Sequence, residues 1–209
     1  MTKFICETKN LSKKYKDFYA LKNVNLTIPK GEIYGLVGEN GAGKTTLIRL
    51  LTGLNFKSEG EIILFGHKDN LQHERSKIGC TIEMPALYKD MTASQNLEVQ
   101  RIQRGIPNKK CITDTLELIG LSNAGKKRVA NFSLGMKQRL ALGVALLGEP
   151  EFLILDEPVN GLDPTGIIEL RELLKKLVKE REVTILISSH ILSELHCLLY
   201  TSPSPRDST

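Results

Sequence analysis

The segment GENGAGKTT, residues 38–46, decides the fold, because it fits the pattern G-x-x-x-x-G-K-[ST] between a strand-like run, EIYGLV, and a helix-like run, TTLIRLLTGL. The three glycines allow the backbone to curl so that successive N–H groups point at phosphate oxygens. The helix adds the positive end of its dipole, Lys44 can reach the β- and γ-phosphates, and Thr45 can ligate Mg²⁺. The segment therefore predicts a site for a nucleoside triphosphate with Mg²⁺. The expected nucleotide contacts are Gly38, Asn40, Gly41, Gly43, Lys44, Thr45 and Thr46.

A second motif, FLILDEP at residues 152–158, supplies acidic groups. Its apolar residues predict a buried strand, and Asp156 emerges at the end of that strand, where it can bind Mg²⁺ directly or through water. The adjacent Glu157 can orient and deprotonate a water that attacks the γ-phosphate. Alone, the pair could equally be two surface carboxylates after a strand. Beside the phosphate-binding segment, it indicates a P-loop NTPase.

The rest of the chain alternates strands and helices. Residues 4–82 are expected to form mainly strands, residues 85–148 helices, and residues 152–195 a strand, a helix and a strand. Strands such as FLILDEP and VTILISS are apolar throughout, which is typical of strands buried on both faces. The pattern predicts an α/β fold with a mostly parallel sheet covered on both faces.

Two helix starts in the middle segment carry capping signals. Thr92 with Gln95 forms a capping-box pattern at the start of ASQNLEVQRIQR. Ser133 stands directly before LGMKQRLALGVALL, where its hydroxyl can accept a hydrogen bond from the first turn. The sequence therefore predicts helices that begin at these two points.

Composition limits the possible partners. The 209 residues carry a formal net charge of +5, and the densest basic cluster, Lys126–Arg128, is too short to indicate a nucleic-acid partner. No stretch approaches the ~18 consecutive apolar residues of a membrane span, and the first ten residues lack the apolar core of a signal peptide. The four cysteines form no CxxC pair, which disfavours a disulfide framework or a zinc site. We expect a cytoplasmic protein without a nucleic-acid partner.

Further segments narrow the class, because along nearly its whole length the chain resembles the ATP-binding subunit of ABC transporters. FSLGMKQRL stands in the place of that family's signature loop and helix. The resemblance implies that Ser133 and Gly135 touch the γ-phosphate of ATP held by a partner subunit. NGLDP, residues 160–164, resembles the D-loop, which lies across the dimer interface and here contains Asp163.

Two single residues complete the resemblance. His190, which ends the apolar run LISSH, is similar to the switch histidine that contacts the γ-phosphate. Tyr15 in SKKYKDFYAL is similar to the aromatic residue that stacks on adenine. A lone histidine usually has a structural role and a lone tyrosine is a weak signal, but five segments occur in the family's order. The resemblance thus implies an ATPase whose catalytic groups include Lys44, Glu157 and His190.

The chain departs from the family pattern at two places. The signature usually reads LSGGQ, whereas Leu134, Met136 and Lys137 differ from it here. The family normally has glutamine where Glu83 stands, at a position that links the nucleotide site to the contact with the membrane domain. Both departures are similar to the subgroup that exports, or confers resistance to, bacitracin and lantibiotic peptides.

The resemblance implies a composite site in a dimer, homomeric or heteromeric, that drives a separate membrane permease. One chain would offer Lys44, Thr45, Asp156, Glu157 and His190, and a second ATP-binding subunit would offer Ser133, Gly135 and Asp163. Residues 83–88 would face the permease, which would hold the protein at the inner face of the cell membrane. The alternatives are a soluble ABC ATPase acting on ribosomes or DNA, and a nucleotide-binding module without turnover. The transported substrate and the direction of transport stay open.

The resemblance also implies domain boundaries. Residues 1–196 would form an ABC ATPase domain, incomplete at its C-terminus, in which an antiparallel β subdomain and a helical subdomain at about 85–148 accompany the P-loop core. Residues 197–209 would be a foreign tail, because CLLYTSPSPRD back-translates to a string that resembles a transposon adapter used in sequencing-library preparation. A genuine Ser/Pro-rich linker is the competing interpretation.

Overall fold

The computed structural model describes residues 3–82, 87–193 and 195, so Glu83 and the tail at 197–209 lie outside the described residues. In these ranges the strands are β1 (Phe4–Tyr15), β2 (Phe18–Pro29), β3 (Ile33–Val37), β4 (Glu59–Leu64), β5 (Ile78–Thr81), β6 (Phe152–Asp156) and β7 (Thr184–Ser189). The helices are α1 (Lys44–Leu51), α2 (Leu71–Arg75), α3 (Ala93–Gln103), α4 (Lys110–Leu118), α5 (Leu134–Leu146) and α6 (Pro164–Arg181). None of these helices has the length and apolar character that crossing a bilayer requires.

The predicted parallel sheet is present, with strand order β3-β7-β6-β5. Its two central strands, β6 and β7, are buried along almost their whole length, as their apolar sequences predict. At the carboxyl ends of the strands, Asp156 pairs with Ser188, and Val37 pairs with Ser189, the last residue of β7. Because parallel strands point the same way, the loops after β3, β6 and β7 leave from one edge of the sheet.

Both faces of this sheet are covered, because alternate side chains of β6 and β7 enter two different cores. Leu153, Leu155 and Ile187 pack in a core with buried residues of α5 and α6. Phe152 and Leu186 pack in a second core with residues of β1, β2 and α1. The prediction of a sheet covered on both faces is therefore confirmed.

A second sheet is antiparallel, with strand order β2-β1-β4. β1 pairs along its length with β2 and on its other edge with β4. The fold is thus an α/β core with an antiparallel β subdomain, as the resemblance implies. The hairpin approaches the phosphate-binding segment, because a Cβ added at Gly43 would lie 2.5 Å from the carbonyl oxygen of Ala20 in β2.

Both predicted helix starts in the middle segment are confirmed. The Thr92 side chain accepts from the amide of Gln95 while the Gln95 side chain accepts from the amide of Thr92, which is a complete capping box at α3. The Ser133 hydroxyl accepts from the amide of Met136 at the start of α5. α5 then packs closely on β5, since a Cβ added at Gly79 would lie 2.1 Å from the carbonyl oxygen of Ala145.

The short helix α2 is a feature that the sequence did not predict. It carries Arg75, whose Nε donates to the carbonyl of Leu51 and whose Nη2 donates to that of Leu50, at 3.0 and 3.1 Å. These carbonyls belong to the last turn of α1. The helix ends at Leu51, three residues before the end of the predicted helical run at Leu54. A cation beside the last carbonyls of a helix is favourable, so α2 stabilises the helix that follows the phosphate-binding segment.

Candidate functional site

The phosphate-binding segment forms a tight loop between β3 and α1. Gly41 and Gly43 have φ of +85° and +90°, a conformation that side chains with a Cβ rarely adopt. Gly43 has no room for a side chain either, because an added Cβ would meet Ala20 and Leu21 of β2. The first turn of α1 contains no acidic residue, so the positive end of its dipole is not neutralised by its own side chains.

Lys44, the first residue of α1, turns its ammonium group back over the loop. It is 9% exposed, and its Nζ donates to the carbonyls of Gly38 and Glu39 at 2.5 and 3.1 Å. Nζ also lies 3.8 Å from Oε1 of Glu157. The lysine therefore links the phosphate-binding loop to the acidic residues at the end of β6.

Thr45 and Asp156, the two predicted Mg²⁺ ligands, are in direct contact. The Thr45 hydroxyl donates to Oδ2 of Asp156 at 2.9 Å, although 111 positions separate the two residues in the sequence. Both ligands are oxygens, as Mg²⁺ prefers. The pair brings α1 and β6 together at the carboxyl edge of the sheet.

Glu157 and His190 form the third contact at this edge. Nδ1 of His190 lies 2.8 Å from Oε2 of Glu157, and both side chains are partly accessible. Glu157 has φ of +50°, which is unusual for a residue other than glycine. Such strained positions cluster at active sites because the surroundings must hold them in place.

Ser133, Gly135 and Asp163 line a cleft of about 1460 Å³ that also reaches Thr45 and Asp156. The polar groups of the first and last of these residues serve their own helices. Ser133 caps α5, and Oδ1 of Asp163 accepts from the amide of Gly166 at 3.0 Å, which caps α6.

The remaining predicted contacts lie around this centre or outside the described residues. Tyr15 stands at the β1–β2 turn, half-exposed, with its hydroxyl 2.6 Å from Nδ2 of Asn55 and Nζ of Lys13 over its ring. Asn40 is exposed in the loop and Thr46 is half-buried in α1. Glu83 cannot be placed, because residues 83–86 lie outside the described ranges.

Two residues at the site were not singled out from the sequence. Ser188 is fully buried at the end of β7, and its hydroxyl contacts the Asp156 carboxylate. The sequence signal that could have identified Ser188 is a serine at the end of an apolar run, followed by a second serine and His190. Gln138 of α5 donates to the carbonyl of Asn160 at 2.6 Å, which links the signature helix to the loop before α6. No local pattern announces that second contact.

Comparisons with known proteins agree with this geometry. A family profile described as "ABC transporter" matches residues 21–160. The chain is 46% identical over 194 residues to the bacitracin transport ATP-binding protein BcrA of Enterococcus faecalis, covering 92% of this chain and 63% of that protein. It is 48% identical over 189 residues to the lantibiotic transport ATP-binding protein SrtF of Streptococcus pyogenes, covering 90% and 81%. The chain thus spans less than two thirds of the length of BcrA.

Solved structures give the same result. The cbiO1 protein of Clostridium perfringens, part of the ABC transporter complex cbiONQ, has a TM-score of 0.86 at 29% identity, covering 95% of this chain and 83% of that one. The ATP-binding cassette MJ0796, in a dimeric post-hydrolysis state with ADP and Pi, has a TM-score of 0.80 at 28% identity, covering 92% and 90%. The chain belongs to the ABC transporter family of ATP-binding proteins.

Proposed function

We propose that this chain is the ATP-binding, ATP-hydrolysing subunit of an ABC transporter and drives a separate membrane permease. The observation that carries the proposal is the convergence of five side chains at the carboxyl edge of the parallel sheet. Two sets of side-chain contacts join them at this edge, one between Thr45 and Asp156 and the other from Lys44 through Glu157 to His190. These residues are Lys44, Thr45, Asp156, Glu157 and His190.

ATP would lie along the phosphate-binding loop and the start of α1. The loop amides and Lys44 would bind the β- and γ-phosphates, with the dipole of α1 behind them. Tyr15 would stack on the adenine, since its ring is half-exposed at the end of the hairpin whose strand β2 contacts Gly43. Lys44 now donates to loop carbonyls, so phosphate oxygens would offer its ammonium group better acceptors.

The oxygens of Thr45 and Asp156 fit Mg²⁺. This ion usually takes one or two protein oxygens and completes its shell with water and substrate phosphates, and a hydroxyl 2.9 Å from a carboxylate offers such a pair. When bound there, Mg²⁺ would neutralise phosphate charge during transfer. The protein's part is to hold the two oxygens at the edge where the phosphate-binding loop begins.

Glu157 would act as the general base and His190 as its orienting partner. A carboxylate that can accept the proton of an attacking water typically contributes ~10²–10⁴-fold to a rate. His190 Nδ1, 2.8 Å from Oε2 of Glu157, restricts the rotation of that carboxylate and stands ready to contact the γ-phosphate. The left-handed backbone at Glu157 supports this role because strain of that kind is typical of active sites.

Ser133, Gly135 and Asp163 would serve the ATP of a second subunit. Their helix-capping contacts support this, since the start of α5 presents amide groups and a hydroxyl at the surface of the cleft. The dimeric MJ0796 structure, which holds ADP and Pi, is consistent with such an arrangement. The second subunit would be another copy of this chain or a different ATP-binding protein.

The permease would contact the segment around residues 83–88, as the resemblance implies, together with the adjoining helices. In the described part of this segment, the side chain of Asn96, which is 2% exposed, accepts from the amide of Tyr88 and donates to its carbonyl. Tyr88 is left 44% exposed. Because relatives named for bacitracin and lantibiotic transport are 46–48% identical, the cargo would be a peptide antibiotic and the protein would sit at the inner face of the cell membrane.

The proposal is tested by measuring fluorescent-ATP binding and phosphate release for the parent chain, K44A and K68A. Lys68 is an exposed lysine whose ion pair with Glu61 spans 4.0 Å, so it controls for loss of a positive charge. We expect K44A to lose ATP affinity by at least tenfold while K68A stays within twofold of the parent. Equal ATP affinity in all three proteins would overturn the assignment of this site.

The transport part is tested in cells that express the native gene together with its permease. Resistance to bacitracin or to a lantibiotic should require Lys44, and K68A should keep it. Resistance that survives K44A would show that this site does not power the transport.

A further inference from the structure

Ser188 is a buried polar residue at the second-last position of β7, directly before Ser189. It is 0% exposed, and it directly follows the buried Leu186 and Ile187. Burying a hydroxyl costs free energy unless hydrogen bonds replace its lost water. A fully buried serine at the edge of a candidate active site therefore raises the question of which groups it bonds.

Its hydroxyl joins the two acidic residues at the end of β6. Oγ donates its proton to Oδ1 of Asp156 and accepts a hydrogen bond from the amide of Glu157 at 3.1 Å. The same amide also donates to the carbonyl of Ser188 at 3.2 Å. One hydroxyl thus uses both its donor and an acceptor position on neighbouring residues of another strand.

These contacts fix the rotation of the Asp156 carboxylate. The terminal torsion of an aspartate is soft, so a single hydrogen bond does not determine where its two oxygens point. Ser188 takes Oδ1, and the Thr45 hydroxyl takes Oδ2 at 2.9 Å. With Oδ1 held from the β7 side, Oδ2 faces the start of α1.

The second contact holds the backbone of Glu157. Its φ of +50° is unfavourable in a residue with a side chain and persists only where the surroundings determine it. Ser188 supplies both acceptors of the Glu157 amide. Losing the hydroxyl would leave one acceptor and would free Oδ1 of Asp156 at the same time.

We propose that Ser188 is a positioning residue that aims the Asp156 carboxylate at the Mg²⁺ of bound MgATP and holds Glu157 in place for the attacking water. This inference rests on the proposed ATPase function and adds to it a residue that touches neither nucleotide nor metal. Removing a group that orients a metal ligand typically lowers metal affinity or activity by ~10–100-fold.

Thr184, at the other end of β7, offers a matched control. It is 1% exposed, and its hydroxyl accepts from the amide of Gly31 at 2.9 Å, away from the carboxyl edge of the sheet. T184V removes a buried hydroxyl from the same strand and leaves the site untouched. Any effect that comes only from a weakened strand should therefore occur in T184V as well.

The test compares the parent with S188A, S188C, S188T and T184V. Fluorescent-ATP binding is titrated with Mg²⁺ and repeated in excess chelator, and kcat and KM are measured from phosphate release. In S188A we expect Mg²⁺-free ATP affinity within about twofold of the parent, with the Mg²⁺ half-saturation raised ~10–100-fold and kcat lowered by a similar factor. S188T, which keeps the hydroxyl, should stay near the parent, and S188C, a weak donor of similar volume, should lie between.

The outcomes separate this inference from the proposed function. A parent chain that does not bind MgATP would overturn both. A parent that binds, with S188A showing the parent's Mg²⁺ dependence and no larger loss of kcat than T184V, would overturn the role of Ser188 alone. If S188A does not fold, S188C decides, because a Mg²⁺ half-saturation equal to the parent's in that variant contradicts the proposal.

Discussion

Two regions of the candidate site are built differently. The first, the core edge, is the carboxyl edge of the parallel sheet with the start of α1. The second, the signature segment, is the start of α5 with the preceding Ser133. At the edge of the parallel sheet, Lys44 and Thr45 of α1 contact Glu157 and Asp156, which lie at least 111 residues further along the chain, through their side chains. At the start of α5, the Ser133 hydroxyl accepts from the amide of Met136, in the first turn of its own helix. The first region is an assembled constellation, and the second is a helix end presented at a cleft.

The difference indicates which functional groups one chain positions by itself and which it could offer to a second chain. Metal binding and proton abstraction need side chains held at fixed distances, and the sheet edge provides them within one subunit. Contact with a phosphate needs only amides and a hydroxyl at a helix start, which any subunit can offer to another. We therefore propose that the core edge carries out catalysis and that the signature segment binds the ATP of a partner subunit.

The largest expected effect is that of Glu157→Gln. The amide cannot accept the proton of the attacking water, so hydrolysis should fall by ~10²–10⁴-fold while ATP affinity stays close to that of the parent. Phosphate release and fluorescent-ATP binding check the two halves of this statement. A variant that hydrolyses ATP at the parent rate would remove the general base from the core edge.

The next effect compares two helix caps, Ser133 and Thr92. Each accepts from an amide in the first turn of its helix, so Ala at either site should cost ~1 kcal/mol of stability. Only S133A should also lose hydrolysis, by ~10²-fold, because only its hydroxyl is assigned to phosphate. Denaturant unfolding and phosphate release on both variants provide the measurement. Equal activity in S133A and T92A would reduce Ser133 to a structural cap.

Features that are encoded within a few neighbouring residues could be predicted from the sequence. The phosphate-binding loop, Asp156 with Glu157, and the caps Thr92 and Ser133 each lie within a few residues, so their chemistry is visible in the sequence alone. The antiparallel sheet was implied by the resemblance rather than by alternation of residue types. Which segments form strands was easier to predict than which strands pair with each other.

The features that were missed depend on pairing between distant segments. Ser188 reaches Asp156 because β6 and β7 pair in a register that places those two residues opposite each other. Arg75 ends α1 because α2, only five residues long, packs beside it. A local sequence pattern encodes neither the pairing register of two strands nor the position of so short a helix. The role of Glu83 as a link between the nucleotide site and the membrane-domain contact stays a prediction.

A smaller effect tests how the two regions are joined at α5 and β5. In Gly79→Ala the new Cβ would lie 2.1 Å from the carbonyl oxygen of Ala145 and 2.9 Å from Pro150, neither of which can rotate away. In Gly143→Ala it would meet the side-chain end of Ile119 at 2.6 Å, which can turn, and alanine favours the helix. We expect G79A to lose about 1–3 kcal/mol of unfolding free energy and G143A to lose less. The opposite order in urea unfolding would show that this contact does not join the regions.

The smallest effect concerns two thiols, one in the antiparallel sheet and one in the helical segment. Burial raises the pKa of the Cys6 thiol, in β1, to about 12. Cys111 in α4 is partly accessible, and burial also raises its pKa. Because the thiolate is the reactive form, at pH 8.5 folded chain with Cys197 replaced by serine should alkylate at Cys111 at least ~10-fold faster than at Cys6. Peptide mass spectrometry measures both, and rapid labelling of Cys6 would show that the antiparallel sheet opens readily.

The most direct measurement mixes two inactive proteins. A K44A chain keeps its signature segment, and an S133A chain keeps its core edge, so a mixed dimer contains one complete site. If the signature segment serves a partner's ATP, phosphate release should reappear on mixing and should rise more steeply than linearly with total protein. If mixtures stay as inactive as the separate variants while the parent hydrolyses ATP, or if the parent's rate per chain does not change on dilution to monomer, the two regions act within one chain and the central claim is contradicted.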